Sequence, residues 1–207
     1  MTLGSRAFLG LCLVIGLASS THAAPAVGEL LPEVAVEGTD GLQRRLPEHR
    51  LATVVIYEDS DAGKQNVRAA ALIDATTNLP ANKDLVEAIA VADLEKWNFW
   101  PARKFALAEV KRVAARLHTT LYVDLKADLR RAWGLTKKRS GIVLVGSDGR
   151  VRFAAEGPLS DSQLDELKRA LAQLGVVLPQ TVASDAAYHD APQTPPLPPP
   201  SKTATDP

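Results

Sequence analysis

The residues with the means to do chemistry are few. Asp59, Asp61, Asp93 and Asp124 fall at or just beyond the ends of predicted strands, and in an open α/β sheet the carboxyl ends of parallel strands form the usual ligand edge. Oxygen donors gathered there suit a hard cation such as Ca²⁺ or Mg²⁺. Their spacing matches no metal-binding loop, and the plainer expectation is a set of solvated turn aspartates capping helices. His49, His118 and His189 lie far apart and lack the spacing of a transition-metal set, so neither a metal nor a cofactor is expected. Lys64 and the run Lys137, Lys138, Arg139 are loop cations. Beside a helix N-terminus they would form an anion or acidic-peptide site; otherwise they are surface charge. Trp97, Phe99 and Trp100 crowd together after a predicted strand, as a hydrophobic binding patch or as a roof on the core. No glycine-rich phosphate loop and no Gly-x-Ser-x-Gly nucleophile elbow is present, which removes support for nucleotide binding and for hydrolase chemistry.

Sulfur chemistry is confined to one place. The only cysteine, Cys12, lies in an apolar run that follows a lone Arg6 and precedes the small residues Ser19, Ser20, Thr21 and Ala23. This is the three-part layout of a secretory signal peptide, and the run is shorter than the roughly 20 residues a stable membrane span needs. Residues 1–23 are therefore expected to be cleaved, sending a thiol-free chain to the periplasm or outside the cell with no stable membrane span. Lys plus Arg and Asp plus Glu both number 24, so no net field favours nucleic acid or an anionic membrane.

Stepping along the chain, period-2 alternation over 33–37 and 42–46 around a Gly/Asp turn predicts a β-hairpin. The apolar, β-branched run 52–57 predicts a strand buried on both faces, 67–75 a helix, and 85–92 a second buried strand, which makes a βαβ unit with parallel strands. Pro101 suits the first turn of a helix over 102–117, whose Phe105, Ala106, Val110, Val113, Ala114 and Leu117 form one stripe expected to face the sheet. A short strand over 119–123, a short helix over 127–133 stopped by Gly134, and a hairpin over 142–145 and 151–154 follow. Ser160 with Gln163 is a capping box opening a helix lined by Leu164, Leu167, Leu171 and Leu174. Residues 179–207 turn to Ala, Ser, Thr, Asp and Pro and are expected to form a disordered proline-rich tail; a ligand for an aromatic groove is the other reading of that segment.

Leu31-Pro32, the Asp40-Gly41 turn, the strand 52–57, the strand ending at Asp124, the Ala-Trp-Gly-Leu of 132–135 and the Ile-Val-Leu-Val-Gly-Ser-Asp-Gly-Arg-Val of 142–151 together resemble an exported redoxin of the thioredoxin-like superfamily. The closing block 151–159 is most similar to the YtfJ-type periplasmic proteins. The resemblance implies an α/β three-layer fold over residues 24–178: a central mixed sheet, helices on both faces and an N-terminal β-hairpin. It also implies that a redox dithiol should stand where Ala62, Gly63, Lys64 and Gln65 stand, and a cis-proline where Ser140 stands. Both are missing. Disulfide exchange needs an attacking thiolate, so the expected role is a non-catalytic binding or structural module acting on an unknown periplasmic protein or peptide. The alternative, suggested by family membership alone, is an oxidoreductase-related protein of redox or peroxide defence.

Overall fold

In the computed structural model, residues 24–62 and 65–180 are described; the proposed signal segment, Gly63, Lys64 and nearly all of the proline-rich tail lie outside them. Seven strands form one mixed sheet in the order β2-β1-β5-β4-β3-β6-β7. Strands β1 (Val34–Gly38) and β2 (Gln43–Leu46) are the expected hairpin, paired in antiparallel register. Strand β3 (Ala52–Asp59), helix α1 (Val67–Thr77) and strand β4 (Val86–Asp93) are the expected βαβ unit, with β3 and β4 parallel from Ala52↔Val86 to Asp59↔Asp93. Helix α2 (Ala102–Leu117) leads to β5 (Tyr122–Asp124), parallel to β4, and α3 (Asp128–Ala132) leads to the antiparallel pair β6 (Gly141–Val145) and β7 (Val151–Glu156). Helix α4 (Asp161–Gln173) closes the fold, and its capping box is present: the Gln163 amide donates to Ser160 Oγ and the Ser160 amide to Gln163 Oε1 at 2.9 Å.

Because side chains alternate along a strand, the two faces build separate cores. One face packs Val54, Ile142, Leu144 and Phe153 against Leu72 and Ile73 of α1 and Leu167 and Leu171 of α4. The other packs Val55, Tyr57, Ile89, Val91 and Val143 against Leu129 of α3 and Trp133. Val36 and Leu46 belong to this second cluster, and Arg44 of β2 reaches Glu87 of β4 at 2.6 Å, so the hairpin curls over the sheet face. Trp133 is nearly fully buried, and its indole N–H donates to the Pro32 carbonyl at 3.0 Å, which satisfies the one polar atom that burial would otherwise penalise. Gly134, at φ 67, ends the segment after α3 in a conformation that disfavours a Cβ.

Two sequence expectations need correction. β4 lies inside the sheet, yet Ala88 is exposed and Ala90 and Ala92 are half-buried; α1 covers Val86 and α2 covers Ala92, and the two helices do not meet over the strand between. The α2 stripe is narrower than expected. Ala106 and Ala114 are buried and Val110 packs beside them, but Phe105 is 63% exposed and Leu117 58%. Phe105 stands about 100° around the helix from Ala106, and Leu117 lies in the last turn, before the chain reaches the three-residue strand β5. Among the described residues no helix is long and apolar enough to cross a membrane.

Candidate functional site

Three strands in this sequence end in aspartate, and the register brings those ends side by side: Asp59 pairs with Asp93 and Asp93 with Asp124. They are not the solvated turn carboxylates expected from sequence, since each is only 5–6% exposed; only Asp61 is exposed. A carboxylate withdrawn from water must have its lone pairs met, and here they are. Asp59 accepts the Asp61 amide on one oxygen and the Lys138 amide on the other, both at 2.8 Å. Asp93 accepts the Glu95 amide at 2.9 Å and Arg130 Nε at 3.0 Å. Asp124 accepts the Asp128 amide at 2.8 Å, the Arg130 amide at 3.2 Å and the Tyr57 hydroxyl at 3.1 Å. The aspartates do cap α3 and tie loops, as expected, but from inside the protein.

Burial is the main cause holding the Asp124 carboxyl above the usual aspartate range, and burial together with the neighbouring Asp124 and Asp93 charges pushes the Tyr57 phenol far above an ordinary tyrosine. Arg130 spans the row and the surface: its Nη2 donates to Glu95 at 2.7 Å, where Lys137 also donates at 3.0 Å, a contact that with the Arg130 charge holds the Glu95 carboxyl low. Sequence reasoning missed Tyr57, Arg130 and Glu95. The signal was present as three strand endings of the form Tyr-Glu-Asp, Val-Ala-Asp and Tyr-Val-Asp; what was missing was the register. Among the described residues no group of acidic residues and histidines is placed to hold a metal ion.

Above this row lies the loop between β3 and α1. Helix α1 starts at Val67, as the sequence predicts, and Ala62 stands in a turn ahead of it, its amide donating to the Asp59 carbonyl at 2.9 Å. Asn66, a buried residue at the N-cap position, has its side chain engaged away from the helix. Its amide group donates to the Gly157 carbonyl at 3.0 Å and its oxygen accepts the Leu159 amide at 2.9 Å, so the first turn of α1 has no side-chain cap. A hollow of about 100 Å³ lies between that turn and Leu159 and Leu164. Gln65 and Ser140 do come together, the Gln65 carboxamide oxygen facing the Ser140 amide at 3.4 Å. Ser140 is 1% exposed and its Oγ has no hydrogen-bond partner among the described residues. The side chains of the neighbouring Lys138 and Arg139 are exposed and enter no ion pair found among the described residues.

The aromatic group divides. Trp97 is half-buried, its ring packs against the α2 core cluster, and its indole N–H points to Ser60 Oγ at 3.4 Å, with Lys96 over the ring at 5.0 Å. Lys96 is itself paired with Asp61, so the two loops are held together. Phe99 and Trp100 are left in solvent, Trp100 at 86% exposure. One of the three roofs the core and the other two project from it.

The model of a family described as "Bacterial protein of unknown function (YtfJ_HI0045)" matches residues 54–174. An uncharacterised protein of Haemophilus influenzae is 40% identical over 47 residues, 23% of this chain and 26% of that protein, so the match spans about a quarter of that relative's length. Similar solved structures include a protein described as the thiol:disulfide interchange protein DsbE from Chlorobium tepidum, at TM-score 0.54 and 15% identity over 73% of this chain and 99% of that one. A mutant of PrxQ from Xylella fastidiosa matches at TM-score 0.52 and 12% identity, over 74% and 99% of the two chains. At such identities the likeness establishes the fold alone, which is thioredoxin-like.

Proposed function

The chain belongs to the YtfJ_HI0045 family, whose description assigns no function, and within that premise we propose that it is an exported thioredoxin-like protein without redox chemistry, serving as a binding module for a periplasmic protein or peptide. The proposed surface is the carboxyl edge around Ala62, Gly63, Lys64, Gln65 and Ser140, flanked by Trp97, Phe99 and Trp100. The observation that carries the reading is the contact of Gln65 with Ser140 in a chain whose one cysteine is Cys12. The Gln65 carboxamide can hold a ligand by hydrogen bonds while the Ser140 hydroxyl lies buried, and neither group attacks a disulfide or a peroxide at neutral pH. Residues 13–207 contain no cysteine and no methionine, so the exported chain offers oxidants neither a thiol nor a thioether. Export itself rests on the sequence of residues 1–23, which lie outside the described residues. The cations of Lys138 and Arg139, which enter no ion pair found among the described residues, favour an acidic ligand.

Two measurements test this. The chain from Ala24 onward is expected to reduce insulin and consume peroxide no faster than buffer; a rate above background would favour the redox alternative and overturn the reading. A glutamate-rich peptide titrated into the 15N-labelled chain is expected to shift the amides of Gln65 and Ser140. The effect should be lost in K138A/R139A, and the absence of any shift at millimolar peptide would remove the acidic ligand.

A further inference from the structure

A tryptophan with 86% of its surface in water, next to a half-exposed phenylalanine, is costly to leave uncovered. The cations around it, Arg103 and Lys104, are exposed and enter no ion pair found among the described residues. The chain carries a segment of matching chemistry. Residues 195–200 read Pro-Pro-Leu-Pro-Pro-Pro, and residues 181–207 hold three carboxylates, Asp185, Asp190 and Asp206, against one cation, Lys202. We propose that the acidic proline-rich segment docks in cis on the surface formed by Trp97, Phe99 and Trp100, with residues 195–200 against the rings and the acidic flanks beside Arg103 and Lys104.

Proline-rich sequence is disposed to the polyproline II helix, which loses little entropy on binding, and aromatic rings are its usual seat. The distance allows it. The described chain leaves the fold at the amino edge of the sheet, where the Val177 amide and carbonyl are both held by the Asn82 side chain at 2.9 and 2.8 Å. The aromatic surface is at the opposite edge, beyond the eight residues of β4, about 26 Å away along the strand. From Gln180 to Pro195 an extended chain covers about 46 Å. The route is also open, since it follows the strip of β4 that α1 and α2 leave uncovered at Ala88 and Ala90. A tether of this length holds the segment near its site at roughly millimolar effective concentration, so an affinity too weak to hold a free peptide suffices in cis. The proposal rests on reading this edge as a binding surface and gives it an occupant that a partner would have to displace.

The three indole N–H signals of Trp97, Trp100 and Trp133 report the outcome. In the chain from Ala24 to Pro207, replacing Pro195, Pro196, Pro198, Pro199 and Pro200 by alanine is expected to move the Trp97 and Trp100 signals by more than a line width and leave buried Trp133 in place. A synthetic peptide of residues 188–207, added at several millimolar to a chain ending at Gln180, is expected to move the Trp97 and Trp100 signals toward the original positions, and W100A to abolish that response. Superimposable indole spectra for the parent and the alanine variant would overturn the proposal, as would equal movement of Trp133. A shift that fades on tenfold dilution of the parent chain would also overturn docking in cis and assign the segment to a second copy. A null result here, with Gln65 and Ser140 still responding to the acidic peptide, would sink the docking and leave the binding edge standing.

Discussion

The inner and outer layers of the carboxyl edge are opposites. In the inner layer, Asp59, Asp93 and Asp124 are buried and each accepts at least two hydrogen bonds. In the outer layer, a few residues away, Trp100 is bare, Lys138 and Arg139 have no counter-ion found among the described residues, and Ser140 buries an unpartnered hydroxyl. The acidic row already accepts from backbone amides, Arg130 and Tyr57, and is a clamp between strand ends, α3 and the 138–140 loop. The proposed binding surface is the outer layer, whose groups lack partners among the described residues.

The sharpest way to break that comparison is to cut the clamp. Arg130→Ala leaves the Asp93 carboxylate buried with a single amide donor, and removing one partner of a buried pair costs about 3–5 kcal/mol; urea unfolding should show it, while Arg139→Ala in the outer layer stays within about 0.5 kcal/mol. Equal effects at the two positions would erase the distinction between layers.

Tyr57→Phe removes one donor to Asp124 and should cost about 1–3 kcal/mol. The same hydroxyl supplies a pH signature. Its folded-state pKa lies above the ordinary tyrosine value of 10.0, so above that pH the unfolded chain releases a proton that the native state keeps. Stability from this group is complete below about pH 10 and declines as the pH rises further. The phenylalanine variant should lose stability less steeply over that alkaline range, and parallel curves would place the phenol in contact with water.

The smallest effect is expected from truncation after Pro179. A segment docked weakly in cis, or not at all, should change the unfolding free energy by about 0.5 kcal/mol or less. A larger drop would make the tail part of the domain's core.

Much of the fold was readable in local pattern. The Val-Val-Ile run of β3, the capping box at Ser160 and Gln163, the hairpin around Asp148-Gly149 and the parallel βαβ unit are set by interactions within a few residues, or by alternation that any sheet must respect. The absence of a dithiol follows from one cysteine at position 12, whatever the fold. The rest depended on distance along the chain being cancelled in space. Asp59, Asp93 and Asp124 became a row because two parallel registers aligned them, and Tyr57 became a buried donor because β5 lay two strands away. Asn66 lost its capping role to Gly157 and Leu159, some ninety residues on. Phe105 left the core through its angle around α2, while Ala88 surfaced because two helices failed to meet. Composition and periodicity determine which segments form strands and helices, but only the packed structure decides which polar groups find each other and which are left for a partner.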